Sequence, residues 1–137
     1  MTTAATTVTS KDSTTDALLR FALRLDATLT GLCGLAHVAF ADAMASLTGL
    51  TATQAFVLGA GFVLYGVLVF RLAGVRRVRS AGRAVIAANL ACTAVAIAVV
   101  LAGVLPLTGA GVAVLLAMGA YTAFFALLQY LGLRRLA

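Results

Sequence analysis

The stretch that decides the fold is residues 84–105, AVIAANLACTAVAIAVVLAGVL, which are twenty-two consecutive residues without a charge. As an α-helix this stretch is about 33 Å long, enough to cross a hydrocarbon core of about 30 Å. The segment directly before it, RLAGVRRVRSAGR at residues 71–83, carries five arginines, and Pro106 follows directly after it. An uncharged helix between arginines and a turn signal is typical of a membrane span.

The composition of the whole chain leads to the same conclusion. Of its 137 residues 63% are hydrophobic and 10% are charged, whereas soluble domains average about 45–50% and about 25%. So few charged residues cannot cover the surface of a water-soluble globule. The composition predicts an all-α, polytopic integral membrane protein.

Three further spans are predicted at about residues 22–45, 52–73 and 111–133. The first is the least certain, because only fifteen uncharged residues separate Asp26 from Asp42, which is about 22 Å of helix. Its small residues before Asp42 are similar to a signal-peptide cleavage site, but the long polar region upstream favours an uncleaved anchor.

The chain divides into a tail and one membrane domain. Residues 1–15 are rich in Thr and Ser, which predicts a disordered cytoplasmic tail. Residues 16–137 hold the four spans, and their short connections predict an up-down-up-down bundle.

The basic residues predict the orientation. All ten Lys and Arg residues lie before or at the start of span one, from the end of span two to the start of span three, or after span four. The positive-inside rule therefore places both termini on the cytoplasmic side of the plasma membrane. The predicted cytoplasmic basic loop contains Arg71, Arg76, Arg77, Arg79 and Arg83. Anionic lipid is a possible partner of this loop, whereas nucleic acid is not expected, because no soluble fold or interleaved aromatic residues accompany the charge.

Small residues recur at helical spacing in every predicted span. Since lipid-embedded helices associate mainly through close packing, these faces predict tight contacts between helices. The alanine face of the third span comprises Ala87, Ala91, Ala94, Ala98 and Ala102. Glycines supply the corresponding positions elsewhere, including Gly31, Gly34, Gly59 and Gly66.

Polar residues inside the apolar spans form the candidate site, because each is costly in lipid unless it has a partner. Asp26, Thr30, Cys33 and His37 follow one another at spacings of four, three and four and therefore share a helix face. Asp26 lies two residues in from the nearest flanking arginine, Asn89 six and Gln129 five, which predicts a shared cytoplasmic polar layer. The predicted intramembrane polar site therefore comprises Asp26, Thr30, His37, Asn89 and Gln129.

Two interpretations of this site stay open. In the structural one, Asp26 forms an ion pair with Arg83 and the amides hydrogen-bond between helices. In the functional one, Asp26 is a proton or cation site at the mouth of a path that leads past Thr30 towards His37.

Other chemistry has little sequence support. His37 is the only histidine, and a packing role is favoured over a proton relay or a haem ligand shared in a dimer. Cys33 and Cys92 form no C-x-x-C motif. The chain has no Glu and no hydrolase or phosphate-binding motif, so no metal, no cofactor and no enzymatic activity are expected.

Three short motifs carry a resemblance to known proteins: RLDATLTG at residues 24–31, AVIAANLA at residues 84–91 and LQYLGLRR at residues 128–135. The chain resembles small four-span integral membrane proteins of high-GC bacteria that have no assigned activity, which implies a membrane location and no catalytic residue. In architecture it also resembles DoxX-like proteins and small multidrug transporters. In the latter, an acidic residue of span one corresponds to Asp26, although theirs is a glutamate deeper in the membrane.

The leading hypothesis from the sequence is a non-enzymatic bundle that acts through helix association, as a homo-oligomer or as an accessory subunit of a membrane complex. The alternative is a small proton-coupled transporter that uses Asp26. A second alternative is a quinone- or redox-associated membrane protein that uses His37.

Overall fold

A computed structural model describes residues 15–136, and every regular element in this range is a helix, which confirms the all-α class. The helices are α1 (Ala17–Ala39), α2 (Ala41–Thr48), α3 (Ala52–Leu72), α4 (Val78–Ala102) and α5 (Gly109–Arg134). The predicted tail, residues 1–15, lies outside the described residues except for Thr15.

The helices have the length and surface of membrane spans. Helices α3, α4 and α5 are each long and apolar enough to cross a bilayer, and the bent pair α1–α2 makes a fourth span if it is counted as one. Large apolar side chains face outward, as with Leu64, which is 70% exposed, and Leu101, which is 82% exposed. Polar side chains such as Asp26 and Gln129 are instead fully buried. This arrangement suits a lipid surround and indicates a membrane protein.

The first span is bent. Helix α1 ends at Ala39, and α2 leaves it at an angle of 94°, whereas the sequence predicts one helix over residues 22–45. The backbone of Phe40 is not helical, with φ −121° and ψ 36°. The bend leaves Asp42 exposed in the first turn of α2. The segment between Asp26 and Asp42 was too short for a straight span, so a turn at this point has a physical reason.

The basic segment is mostly helical rather than a loop. Helix α4 begins at Val78, six residues before the predicted start, so Arg79 and Arg83 lie in its first turns. Arg71 belongs to the last turn of α3, and only Arg76 and Arg77 lie in the connection between the two helices.

The basic segments meet at one end of the bundle. The guanidinium of Arg20 donates to the carbonyl oxygens of Ala73 and Val75 at 2.7 and 3.0 Å, and Arg79 donates to that of Leu136 at 2.8 Å. We call this end of the bundle, formed by the start of α1, the α3–α4 connection and the end of α5, the arginine-rich end.

Glycines bring α1 and α3 into backbone contact. A Cβ atom at Gly34 would lie 2.6 Å from the carbonyl oxygen of Gly59, and one at Gly66 would lie 2.6 Å from that of Ala27. These distances are too short for any side chain. The tight contact predicted for the glycines of these two helices is therefore present.

The alanine face of α4 takes no part in packing within the chain. Its five alanines are all exposed, whereas the buried face of α4 comprises Val78, Ala81, Gly82, Val85, Asn89 and Ala96. The prediction that this stripe packs against another helix of the same bundle is wrong. A stripe of small apolar residues is equally compatible with lipid or another chain, and periodicity cannot distinguish these surroundings.

Helices that are consecutive in the chain are not always neighbours. Helix α1 packs along α3 and also contacts α5, while α4 packs along α5. Helices α3 and α4 hardly contact each other, although only five residues join them. The short connection had predicted that they are neighbours. They separate beyond the arginine-rich end, and this separation creates the cavity described below.

Candidate functional site

Asp26 lies in the centre of the bundle, between two regions of different character. Its side chain is fully buried. Towards the arginine-rich end it is covered by an apolar cluster whose members are Leu19, Leu23, Ala27, Val69, Ala73, Val78 and Val85. Because this cluster closes the bundle at that end, Asp26 has no open path to it. The functional interpretation had placed Asp26 at the mouth of a path, and the burial of its side chain beneath this cluster does not agree with that placement.

Four side chains hold the carboxylate of Asp26. Its Oδ2 accepts from Gln129 Nε2 at 2.8 Å and from Asn89 Nδ2 at 3.0 Å. Its Oδ1 accepts from the hydroxyl of Thr30 at 3.1 Å and lies 3.2 Å from the hydroxyl of Tyr121. The donors come from α1, α4 and α5, so the site exists only when these helices assemble.

A fourth helix joins through Asn89. The hydroxyl of Tyr65, on α3, donates to Asn89 Oδ1 at 3.0 Å. Asn89 Nδ2 also donates to Gln129 Oε1 at 3.2 Å. Since the amide nitrogen of Asn89 must face the carboxylate, its oxygen must face Tyr65, which fixes the orientation of the amide. We call Asp26, Thr30, Tyr65, Asn89, Tyr121 and Gln129 the Asp26 network.

The structure brings together four of the five residues predicted for the polar site: Asp26, Thr30, Asn89 and Gln129. Their distances from the flanking arginines had placed three of them in one layer. Helix register alone carried this information, because the residues lie on three helices that are far apart in the chain.

His37 stays outside the Asp26 network. Its Nδ1 lies 2.9 Å from the carbonyl oxygen of Cys33, one turn earlier on the same helix, and its ring meets Phe62 edge to face with centroids 5.8 Å apart. Both contacts are local packing contacts. His37 and Asp26 share a helix face, but they are three turns apart along it.

The predicted ion pair between Asp26 and Arg83 is absent. Arg83 is exposed, and the one ion pair within residues 15–136 joins Arg20 to Asp16 at 2.8 Å. A guanidinium at the first turns of α4 reaches solvent or headgroups at low cost, whereas turning inward would require removing it from water. The neutral donors of the network take its place at Asp26.

Sequence reasoning missed two members of the network. Tyr65 and Tyr121 each lie within an uncharged span. The hydroxyl of Tyr65 contacts Asn89, and that of Tyr121 contacts Thr30 and both the carboxylate and the backbone carbonyl oxygen of Asp26. Their position inside the spans was a signal that they need partners, but a single sequence does not say which.

The charge balance of the site is unusual. Hydrogen bonds to both oxygens stabilise a carboxylate, and every buried polar side-chain atom in the described part of the chain has a partner. No Lys, Arg or His side chain in that part lies within 4.0 Å of the Asp26 carboxylate. The hydrogen bonds therefore satisfy the carboxyl oxygens but supply no positive charge, and an ionised buried carboxylate without a counter-charge is costly.

An apolar cavity adjoins the network on the side away from the arginine-rich end. It has a volume of about 680 Å³ and is lined by α1, α3, α4 and α5, in the size range of small-molecule sites, about 300–1,000 Å³. Thr30, Tyr65, Asn89 and Tyr121 form its polar end. The rest of its lining is mainly apolar, with residues such as Leu58, Phe62, Val114 and Met118.

The cavity opens to the outer surface between α3 and α4. Val57 and Leu58 on its α3 side are 62% and 41% exposed, and Cys92 on its α4 side is exposed as well. A molecule in the surrounding lipid could therefore reach the polar end without crossing the apolar cluster. Cys33 and Cys92 both line the cavity as free thiols. No three His, Cys, Asp or Glu side chains within residues 15–136 converge as metal ligands.

Comparison of the chain with family models, curated proteins and solved structures finds no match in any of the three. The resemblances drawn from the three short motifs therefore stay predictions.

Proposed function

We propose that the chain is a small, non-enzymatic, proton-coupled transporter of the plasma membrane, with Asp26 as the group that takes and releases the proton. One observation carries the proposal. Asp26 is fully buried, has no cationic partner among the described residues, and is hydrogen-bonded to side chains that line a cavity open to the outer surface. Intramembrane acids with these properties belong to ion and substrate pathways more often than to plain packing.

We further propose a four-span, up-down-up-down topology with both termini on the cytoplasmic side. The contacts between basic segments support this topology, since Arg20 and Arg79 bond to backbone of the α3–α4 connection and of the chain's last turn. The arginines of the described residues then lie on one side, as the positive-inside rule requires.

The charge of Asp26 should couple its protonation to the binding of a cation in the cavity. A negative Asp26 without a counter-charge is costly when buried. A proton on the carboxyl removes this cost, and so does a cation in the cavity. The two ions therefore compete for one negative charge, and such competition is the basis of exchange. The other titratable groups of this network are the phenols Tyr65 and Tyr121, so Asp26 is its one carboxylic acid.

The test uses Asp26→Asn and, as a matched control, Asp42→Asn, which makes the same change at an exposed position of α2. In nanodiscs, infrared difference spectra between acidic and neutral pH should contain the carbonyl band of a buried carboxylic acid. Asp26→Asn should remove this band and Asp42→Asn should keep it. Because the chain has only four acidic side chains, their contributions can be separated.

Transport is measured in proteoliposomes that contain a pH-sensitive dye. Solutes added outside should cause proton movement with the unchanged protein and with Asp42→Asn, but not with Asp26→Asn. Identical infrared spectra and identical proton movement in all three proteins would remove Asp26 from any transport role.

Association is a second candidate function, favoured by the exposed alanine stripe of α4. A homo-oligomer or a complex with another membrane protein would cover this stripe with a close helix contact. Native mass spectrometry of the protein from its own membrane separates the alternatives by mass. If Ala91→Leu and Ala94→Leu leave the oligomer or complex intact, the stripe is a lipid-facing surface.

The quinone or redox hypothesis gains no support from the contacts of His37, which are local. It stays a prediction, and its signature is visible absorbance or bound quinone in the purified protein.

A further inference from the structure

The polar end of the cavity has a definite hydrogen-bond direction. Tyr65 gives its one hydroxyl proton to Asn89 Oδ1. The hydroxyls of Thr30 and Tyr121 lie 3.0 Å apart and turn their protons towards each other and Asp26. With the protons directed into the network, each tyrosine oxygen keeps lone pairs for the cavity. The cavity therefore presents hydrogen-bond acceptors.

The electrostatic environment of the cavity also favours a ligand that donates hydrogen bonds and carries positive charge. Asp26 lies directly behind Tyr121 and Thr30, and no basic side chain of the described chain compensates it. The rings of Phe62, Tyr65 and Tyr121 belong to the cavity lining, and aromatic faces attract cations, most strongly where water is excluded. Acceptors, negative charge and aromatic rings all favour a cationic donor and disfavour an anion.

We propose that the cavity binds lipophilic primary or secondary amines in their ammonium form. The N–H groups donate to the hydroxyl oxygens of Tyr65 and Tyr121, and the apolar body of the ligand occupies the cavity between α3 and α4. The ligand enters from the lipid through the gap between these helices. This inference rests on the proposed transporter function and names its substrate class.

The hydrogen bonds distinguish this ligand class from cations in general. A quaternary ammonium carries the same charge but has no N–H donor, so it would leave the acceptors of the polar end without a partner. A neutral alcohol can donate but carries no charge to balance Asp26. A carboxylate would meet Asp26 and the lone pairs with its own negative charge.

The test measures binding to the full-length protein in lipid nanodiscs by equilibrium dialysis, with empty nanodiscs as the blank for partitioning. The probe is 2-(1-naphthyl)ethylamine, and its three analogues are the trimethylammonium derivative, 2-(1-naphthyl)ethanol and 1-naphthylacetate. Naphthalene fluorescence reports the probe directly, since the chain has no tryptophan.

Two glycines provide matched cavity variants. Gly61 lines the cavity and a Cβ there would meet nothing within 4 Å, so Gly61→Leu fills the cavity without disturbing a packed contact. Gly31 has equally open space around its Cβ position but does not line this cavity. Gly31→Leu is therefore the control for adding a leucine to a helical glycine.

We expect saturable binding of the amine, at least about tenfold tighter than binding of the alcohol or the quaternary analogue, and no saturable binding of the carboxylate. Gly61→Leu should weaken amine binding by about tenfold or more, whereas Gly31→Leu and Asp42→Asn should leave it unchanged. Asp26→Asn should reduce the amine to the affinity of the alcohol.

Equal or tighter binding of the alcohol, the quaternary analogue or the carboxylate would overturn the proposal, and so would amine binding that Gly61→Leu leaves unchanged. Absence of saturable amine binding would overturn it too. If Asp26 still protonates in the infrared spectra in that case, only the ligand class is wrong and the transporter proposal stands. If that band is also absent, both fall.

Discussion

At the arginine-rich end of the bundle Leu19 is completely enclosed, while beyond the Asp26 network α3 and α4 separate around a cavity of about 680 Å³. Leu19 fits between Gly82 and Gly132, where an added Cβ would lie 2.9 Å and 2.8 Å from atoms of that leucine. At the other end Gly61 faces open space. One end therefore has the density of a protein core and the other has room for a ligand.

The difference shows how a small membrane protein can separate stability from function. The arginine-rich end holds four helices together by packing, so the end that contains the cavity need not be tightly packed to keep the fold. The Asp26 network lies at the boundary and belongs to both, because it links all four long helices and forms the polar end of the cavity. Substitutions at the arginine-rich end should therefore change the free energy of unfolding more than substitutions of residues that line the cavity.

The largest effect is expected from Leu19→Ala. Removing a fully buried leucine leaves a void between two glycines that cannot fill it, which should cost about 2–5 kcal/mol. Leu29→Ala, at a cavity-lining residue that is 43% exposed, is the matched control and should cost less than about 1 kcal/mol. Denaturant unfolding in detergent, followed by circular dichroism, measures both. Equal losses would mean that the two ends do not differ in packing.

The next effect is expected from Gly132→Ala. The new Cβ would lie 2.8 Å from the backbone nitrogen and Cα of Leu19, so the helices must move apart, at a cost of about 1–3 kcal/mol. Gly61→Ala adds the same methyl group to open space and should change the free energy of unfolding little, with a slight gain from helix propensity. A destabilised Gly61→Ala would contradict the open cavity.

A smaller effect is expected from Tyr65→Phe, which removes the donor to Asn89 and keeps the ring. The loss of one hydrogen bond should lower the free energy of unfolding by about 1 kcal/mol. The same change removes an acceptor from the cavity and should weaken amine binding. Tyr130→Phe, at an exposed tyrosine outside the cavity lining, should change neither quantity. The comparison of both readouts in the two variants tests whether the network serves stability and binding together.

The smallest effect on unfolding is expected from Ala91→Leu, on the exposed face of α4. An exposed substitution without a partner should change the free energy of unfolding by less than about 0.5 kcal/mol. A larger change in the isolated protein, measured at two protein concentrations, would show that another copy covers this face.

The candidate site was partly predictable. Asp26, Asn89 and Gln129 lie two, six and five residues from arginines that mark one boundary, and this count placed them in one layer. Tyr65 and Tyr121 were not assigned to this layer, because a tyrosine hydroxyl inside a span has many possible partners. Arg83 was assigned wrongly to Asp26, since sequence distance cannot show whether a long side chain turns inward or towards the surface.

The sequence by itself determined that the chain is helical and belongs in a membrane, because uncharged stretches of about twenty residues satisfy all their backbone hydrogen bonds in lipid as α-helices. It also determined where basic residues gather and which polar residues must find partners. Only the tertiary structure decided which helices are neighbours, since small-residue periodicity gives every helix a face that could pack. It buried the glycines of α1 and α3 and left the alanines of α4 exposed. By separating α3 from α4, it also placed a cavity beside Asp26, and no local pattern in either helix encodes a space between them.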